Sequence, residues 1–561
     1  MSDSTAMTIG DFLIRRLREA GIGDFFGVPG DFNLEFMQQI EDSDDVRWVG
    51  TCNELNGAYA ADGYARLNGL GVVVVTHGVG ALSAVNGVAG AYAEHVPLVC
   101  VAGALPLVAE DHGLLLHHTF ADGGRDEFRR AYAQVTAGTA RLTPQNAVME
   151  IDRLIRTAWQ LKRPVYLELP SDIAYLTIPV PNEPLELVTP ASDPERLESA
   201  ARAIVHRLAK AEKPALLLDC DADRYDVAPA VTELSGKLGV PIAVVNTARG
   251  VVDGSHPYFT GTYPGAPAAR QAVEESDCLL AVGYRSIDST TGFYADRIPD
   301  GTIHLRAYSA DVDGENYQAV SLPELLKAVA GSAPSGRTAP PPERPAPSAA
   351  SDAPASEPLT QAVFWPEIQG FLREGDVVIA EDGTSVAGLG GLILPDRSTF
   401  VTQAVWGSIG YTVGSLLGTL VAAPERRHLL FVGDGSFQLT AQEISTMLRH
   451  DLKPVILLIN NRGYTIERTI LGKNAHYNDV ADWSYSELPA VLRADGNARA
   501  FQVGTLAELR EALHADHDGM KFIEIRMDQN DAPPSLVAGG HKSAYLDYGP
   551  RGPQSRPDSQ I

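Results

Sequence analysis

The feature that most restricts this chain is the recurrence of short apolar runs separated by stretches of helical character. GVVVVTHG, PLVCVAG and RPVYLELP stand in the first third, KPALLLD, VPIAVVN and DCLLAVG in the second, and DVVIAEDG, HLLFVGDG, PVILLINN and KFIEIRM in the last. Strands that lack polar alternation are buried on both faces, which is the pattern of parallel sheets covered by helices such as TIGDFLIRRLREAG. The expected fold is therefore α/β, with three doubly wound parallel-sheet domains in tandem. No short internal repeat is present, but three units of one style suggest duplication at the level of architecture.

The clearest boundary is the stretch 331–357, GSAPSGRTAPPPERPAPSAASDAPASE, too rich in Pro, Ala and Ser to build a core. It is expected to be an exposed tether. The domains then span 1–184, 185–330 and 358–548, and a tail, 549–561, is expected to be disordered. Before that tail, SLVAGGHKSAYLDYG carries Gly539 and Gly540, which oppose a continuous helix.

Composition excludes some functions. In 561 residues, 71 Asp and Glu outnumber 45 Lys and Arg, a formal charge of −26 that repels polyphosphates and anionic membranes. No nucleic acid and no membrane is expected as a partner. Four cysteines without CxxC spacing, and an N-terminus without a signal-type apolar core, suggest a cytoplasmic protein. GVGALS lacks the third glycine of the dinucleotide fingerprint and GxxxxGK[ST] is absent, so nicotinamide and P-loop readings are weak.

One carboxylate stands out. HLLFVGDGSF ends an apolar run at Asp434, between Gly433 and Gly435. Asp between glycines is a common turn, yet the chain continues through LTAQEISTMLRH, where Leu439, Ile444, Met447 and Leu448 fall at roughly helical spacing, into PVILLI and then Asn460 and Asn461. A right-handed crossover makes the two strands parallel and brings both loops to one sheet edge. Asp434 and Asn461 would then offer oxygens to one hard cation such as Mg²⁺, which takes further ligands from phosphates. Gly435 and Ser436, opening the helix, would offer N–H groups to such a phosphate.

GDGS, a helix and NN at this spacing resemble the thiamine diphosphate signature, and NNRGYTIER is similar to the 2-keto acid decarboxylases of the pyruvate, indolepyruvate, phenylpyruvate and branched-chain type. GVPGDFNL, CNELNGAYAADGYAR, LLHHTF, GTYPG, AEDGTS, WGSIGYT and GDGSFQLTAQE extend the likeness over nearly the whole chain, in the family's order. The resemblance implies pyrimidine-binding, central and diphosphate-binding domains, with thiamine diphosphate and Mg²⁺ as cofactors. It also implies a small-molecule 2-keto acid as substrate, and a homodimer or homotetramer with active sites at subunit interfaces.

Residue by residue, the resemblance implies that Asp434, Asn461 and the Gly463 carbonyl hold Mg²⁺. Gly435, Ser436 and Thr384 take the diphosphate, with Gly433 and Tyr464 beside it. Glu54 matches the glutamate that bonds the aminopyrimidine ring nitrogen and so favours proton loss from the thiazolium carbon. Gly407 offers its carbonyl to the ring amine, and Ile409 either wedges the two rings into a bent shape or is simply core. Asp31, His117, His118 and Glu467 match the proton-handling residues, types suited to protonating the product and relaying protons to solvent.

The pocket implied by DGTSVA at 382–387, with Ile466 and Ile470 opposite, contains Val386 and Ala387 where pyruvate-restricted relatives carry large aromatics. A bulky apolar 2-keto acid is expected. The competing readings are a carboligase that joins the same intermediate to a second carbonyl, and a catalytically silent partner subunit, which should lack a key acid or base.

Overall fold

In the computed structural model, residues 4–333, 340–342, 351 and 353–548 are described. The chain divides into two compact units. One comprises Met1–Thr189, Gly410–Glu425 and Thr440–Leu452; the other comprises Pro190–Ile409, Arg426–Leu439 and Lys453–Ile561. The tail expected to be disordered lies outside the described residues.

The first unit is built on a six-stranded, all-parallel sheet in the order Arg47–Gly50, Asp24–Gly27, Gly71–Val75, Leu98–Ala104, Val165–Pro170, Thr139–Arg141. Every residue of Gly71–Val75, Leu98–Ala104 and Val165–Pro170 is buried, as unbroken apolar runs require. The helix Glu54–Asn68 is buried continuously from Asn56 to Ala65 and packs on Tyr411–Ala422 of the same unit. Asp62, buried inside that pair, accepts through one carboxylate oxygen from Arg66 one turn on and from the Tyr411 hydroxyl.

The second unit contains two sheets. One is all-parallel, in the order Thr399–Val401, Val377–Ala380, His428–Gly433, Val455–Asn460, Met520–Arg526, Ala498–Val503. Counted along the chain, its strands run second, first, third, fourth, sixth, fifth, the same order as in the first unit. The other sheet runs third, second, first, fourth, fifth through parallel pairs and adds Ser309–Val312 and Glu315–Gln318 as an antiparallel edge. The architectural likeness is therefore closest between the first and last sheets.

Three local expectations change. The segment expected to form one helix after Asp434 is broken into Asp434–Thr440, a 3₁₀ turn Ala441–Glu443, and Ile444–Arg449, and Leu439 is exposed. The turn commits Glu443 to the first unit, where its buried carboxylate accepts from the Cys52 backbone N–H at 3.1 Å and the Asn56 amide at 2.7 Å. The described end of the Pro/Ala/Ser-rich stretch is docked: the carbonyls of Ala355 and Glu357 accept from Ala507 and Leu506, and Arg510 bonds Ser351 O.

The third correction concerns Gly539 and Gly540, which do not break the C-terminal segment: Pro534–Tyr548 is one helix. A Cβ on Gly540 would lie 2.4 Å from Thr469 Oγ1 and 2.8 Å from the Thr469 carbonyl oxygen. Glycine lets this helix approach the helix Thr465–Ile470 more closely than any side chain permits, and tertiary packing outweighs the helix propensity lost.

Candidate active site

Open parallel sheets bind ligands where the strand order reverses, at the carboxyl ends of the two central strands. In the last sheet this point lies between Val377–Ala380 and His428–Gly433. The first of these strands feeds 381–384 and the second feeds 434–436, so Thr384, Asp434, Gly435 and Ser436 meet there. Asn461 follows the adjacent strand Val455–Asn460.

Asp434 is fully buried and accepts from the backbone N–H groups of Gly435, at 2.8 Å, and Gly463, at 3.1 Å. Burial pushes its carboxyl up to about 7, with those N–H groups pulling the other way. A cation beside it would restore the charged form.

The adjacent asparagines divide the work. Asn460 turns into the protein and donates to the buried Glu524 at 2.9 Å. Asn461 sends one amide atom to within 3.2 Å of Asp434 Oδ1 and 2.9 Å of Gly463 O, and the other to within 2.8 Å of Thr465 Oγ1. Thr465 gives its hydroxyl proton to Gln529 O at 3.0 Å, so its oxygen is free to accept from the Asn461 nitrogen. In that orientation the amide oxygen faces Asp434 and Gly463 O, and three oxygens converge. A hard divalent cation reconciles that set; turning the amide over replaces it with two hydrogen bonds. Gly463, at φ 142°, is held where a Cβ would strike Asn478 O at 2.0 Å.

Around this centre, Tyr464 lies against Gly435, close enough that a Cβ there would meet its ring at 2.4 Å. Gly407 is exposed at φ 63°, within 3.5 Å of Asp382 as measured from an ideal Cβ, and Ile409 is half-buried. Ile466 approaches Gly383, and the C-terminal helix packs on both Thr384–Leu389 and Thr465–Ile470, with Ser535 donating to Ala387 O at 3.4 Å. Ile470 is half-buried and Glu467 is exposed in the same short helix. Val386 packs partly against the core cluster of Phe364, Trp365 and Phe431, so its side chain is shared between core and the expected pocket.

In the first unit the corresponding reversal lies between Asp24–Gly27 and Gly71–Val75. Asp31 follows the first strand, and His117 and His118 reach it from the 112–126 loop: His117 Nε2 is 2.6 Å from one carboxylate oxygen and His118 Nδ1 is 3.6 Å from the other. Glu54 opens its buried helix, half-buried itself, with Oε1 3.2 Å from an ideal Cβ on Gly80.

His77 was not singled out from the sequence. It sits at the carboxyl end of Gly71–Val75, 2% exposed, with its ring edge-on to Phe32 and Phe128 and its Nδ1 without a hydrogen-bond partner. Burial first, then Arg141 and His118, hold it down to about 4, so it stays neutral. Its place at the end of an apolar strand, THG after GVVVV, was the available signal.

Family models match three stretches: the N-terminal TPP binding domain of thiamine pyrophosphate enzymes over residues 7–123, the central domain over 201–329, and the C-terminal TPP binding domain over 390–525. Among similar proteins, a pyruvate decarboxylase of Kluyveromyces lactis is 39% identical over 95% of this chain and 97% of its own. An alpha-keto-acid decarboxylase of Mycolicibacterium paratuberculosis is 40% identical over 95% and 96%, and pyruvate decarboxylase isozyme 2 of Saccharomyces cerevisiae 38% over 95% and 97%.

Proposed function

Because the chain belongs to the thiamine diphosphate-dependent 2-keto acid decarboxylase family, we propose that it converts a bulky apolar 2-keto acid, aromatic or branched-chain, into an aldehyde and CO₂. The observation that carries this reading is the convergence of Asp434, Asn461 and the Gly463 carbonyl at the strand-order reversal. That donor set fits Mg²⁺, and the Ser436 N–H with Thr384 would receive the diphosphate it anchors, the Gly435 N–H being held by Asp434.

Thiamine diphosphate, when bound, supplies the electron sink for the carbanion left by loss of CO₂. The chain's own residues do the rest. Glu54 would hydrogen-bond the pyrimidine nitrogen, the Gly407 carbonyl would receive the ring amine, and Ile409 would set the shape of the pocket floor. Asp31, His117, His118 and Glu467 hold and deliver protons, with His117 2.6 Å from the Asp31 carboxylate and His118 3.6 Å from its other oxygen. Ala387, Ile466 and Ile470, with part of Val386, form an apolar wall that leaves space for a large side chain.

A homodimer or homotetramer, with Glu54 of one chain serving the Asp434 centre of another, is part of the proposal, as is a cytoplasmic setting. The four cysteines are unpaired, and no helix among the described residues is long and apolar enough to cross a membrane.

The test is an aldehyde-release screen over a panel of 2-keto acids with thiamine diphosphate and Mg²⁺. Release of aldehyde fastest from phenylpyruvate or a branched-chain acid supports the proposal in full. Pyruvate fastest removes the size preference, acyloin as the main product assigns a carboligase, and no product from any acid removes the activity.

A further inference from the structure

Two consecutive residues of an extended chain point to opposite sides, yet His117 and His118 both face Asp31. The reason is local. His118 adopts the left-handed conformation, φ 61°, which is strained for a side-chain-bearing residue. Its carbonyl is seated against Gly78, where a Cβ would come within 2.0 Å. Phe32 stacks on the His117 ring at 5.0 Å between centroids and meets His118 edge-on at 5.8 Å. The three side chains are thus held by backbone and packing, and one oxygen or nitrogen from each lies within 4.8 Å of the other two.

We infer that Asp31, His117 and His118 form a second metal site, selective for a late first-row divalent cation of the Zn²⁺ class and separate from the all-oxygen set at Asp434. Two imidazole nitrogens and a carboxylate are the ligand types such ions prefer, whereas Mg²⁺ favours oxygen. Zinc bonds of about 2.0–2.1 Å in a tetrahedron separate ligand atoms by about 3.3 Å. His117 Nε2 and His118 Nδ1 lie 2.6 Å and 3.6 Å from different oxygens of the Asp31 carboxylate, so one cation needs the carboxylate and the rings to adjust around it. His117 is 62% exposed, which leaves an entry path and an open fourth position, and His118 Nδ1 has no hydrogen bond to give up. If the proposed proton-handling role holds, the cation occupies the lone pairs that take the protons and acts as a reversible inhibitor; binding itself does not depend on that role.

Zn²⁺ is titrated calorimetrically into the full-length protein saturated with Mg²⁺, and Co²⁺ is used to read the coordination sphere by visible absorption. One site per chain is expected, with a tetrahedral Co²⁺ spectrum. His117→Gln, His118→Gln and Asp31→Asn should each weaken it at least about ten-fold, and any of the three that fails to fold leaves the others to decide. His476→Ala, which removes a fully exposed histidine 3.1 Å from Asp479, should leave affinity unchanged. Absence of binding, undiminished affinity in the folded ligand variants, or loss of the site in His476→Ala or Asp434→Ala would each overturn the inference. Reversible loss of aldehyde release on adding Zn²⁺ reports on the proton-handling role separately.

Discussion

Asn461 faces Asp434 across 3.2 Å, while its neighbour Asn460 turns the other way to donate to Glu524 at 2.9 Å. Two identical side chains in succession therefore have separable consequences. Asn461→Ala should lower Mg²⁺ affinity at least about ten-fold with little change in unfolding, because it removes a ligand. Asn460→Ala should spare the metal and destabilise the fold by about 1–3 kcal/mol, the cost of leaving the buried Glu524 short of a donor. Mg²⁺ titration and urea unfolding of both variants separate the two roles, and identical profiles would refute the division.

Glu54→Gln should keep the fold and most thiamine diphosphate affinity while slowing hydrogen–deuterium exchange at the thiazolium carbon by orders of magnitude, since an amide cannot share the proton. Mixed with Asp434→Ala under subunit exchange, it should recover part of the activity. Proven hybrids without recovery would mean that each chain builds its own site.

Gly540→Ala sets two effects against each other. Helix propensity predicts a gain of about 1 kcal/mol, whereas a Cβ 2.8 Å from the Thr469 carbonyl predicts an overpacking loss of about 1–3 kcal/mol, because backbone cannot rotate away. Net loosening of Pro534–Tyr548 is expected, read as faster amide exchange in that helix and a raised KM. Slower exchange would show that propensity wins.

Glu168 is fully buried on the strand Val165–Pro170, and burial raises its carboxyl from 4.5 to about 7 against the pull of Arg141 and Arg129. An acid raised on folding costs no stability below its unfolded pKa and costs progressively more as pH rises through the folded one, here about 3 kcal/mol by pH 8.5. Stability should therefore fall between pH 5 and 8.5. Glu168→Gln should flatten that slope, being close to the parent at pH 5 and more stable at pH 8.5. Parallel curves for the two proteins would dismiss Glu168 as the cause.

Ala387→Trp should reverse the proposed substrate order, lowering kcat/KM for phenylpyruvate far more than for pyruvate. Apolar burial contributes roughly 25 cal/mol per Å², so an aromatic ring supplies a preference of roughly ten- to several-hundred-fold. Equal losses on both substrates would place the residue outside the pocket.

The sequence by itself determined the parts of this protein that rest on short-range chemistry. Unbroken apolar runs specified buried parallel strands, and a carboxylate between glycines at the end of one run, with asparagines at the end of the next, specified that Asp434 and Asn461 meet at one sheet edge. What it could not carry were relationships set by packing between distant segments. Helix propensity argues against a helix through Gly539 and Gly540, and only Thr469 and Phe293 on the opposing surface explain why one forms. Spacing assigned Asn460 no role, and only the fold shows it donating to the buried Glu524. Apolar periodicity ran Leu439 to Leu448 into one helix, and the buried Glu443 carboxylate, drawn to Cys52 and Asn56 nearly four hundred residues away in sequence, broke it. His77 lies with His118 against the Phe32 ring because a strand end is also a strand-order reversal, a property of the sheet and not of the residues that compose it.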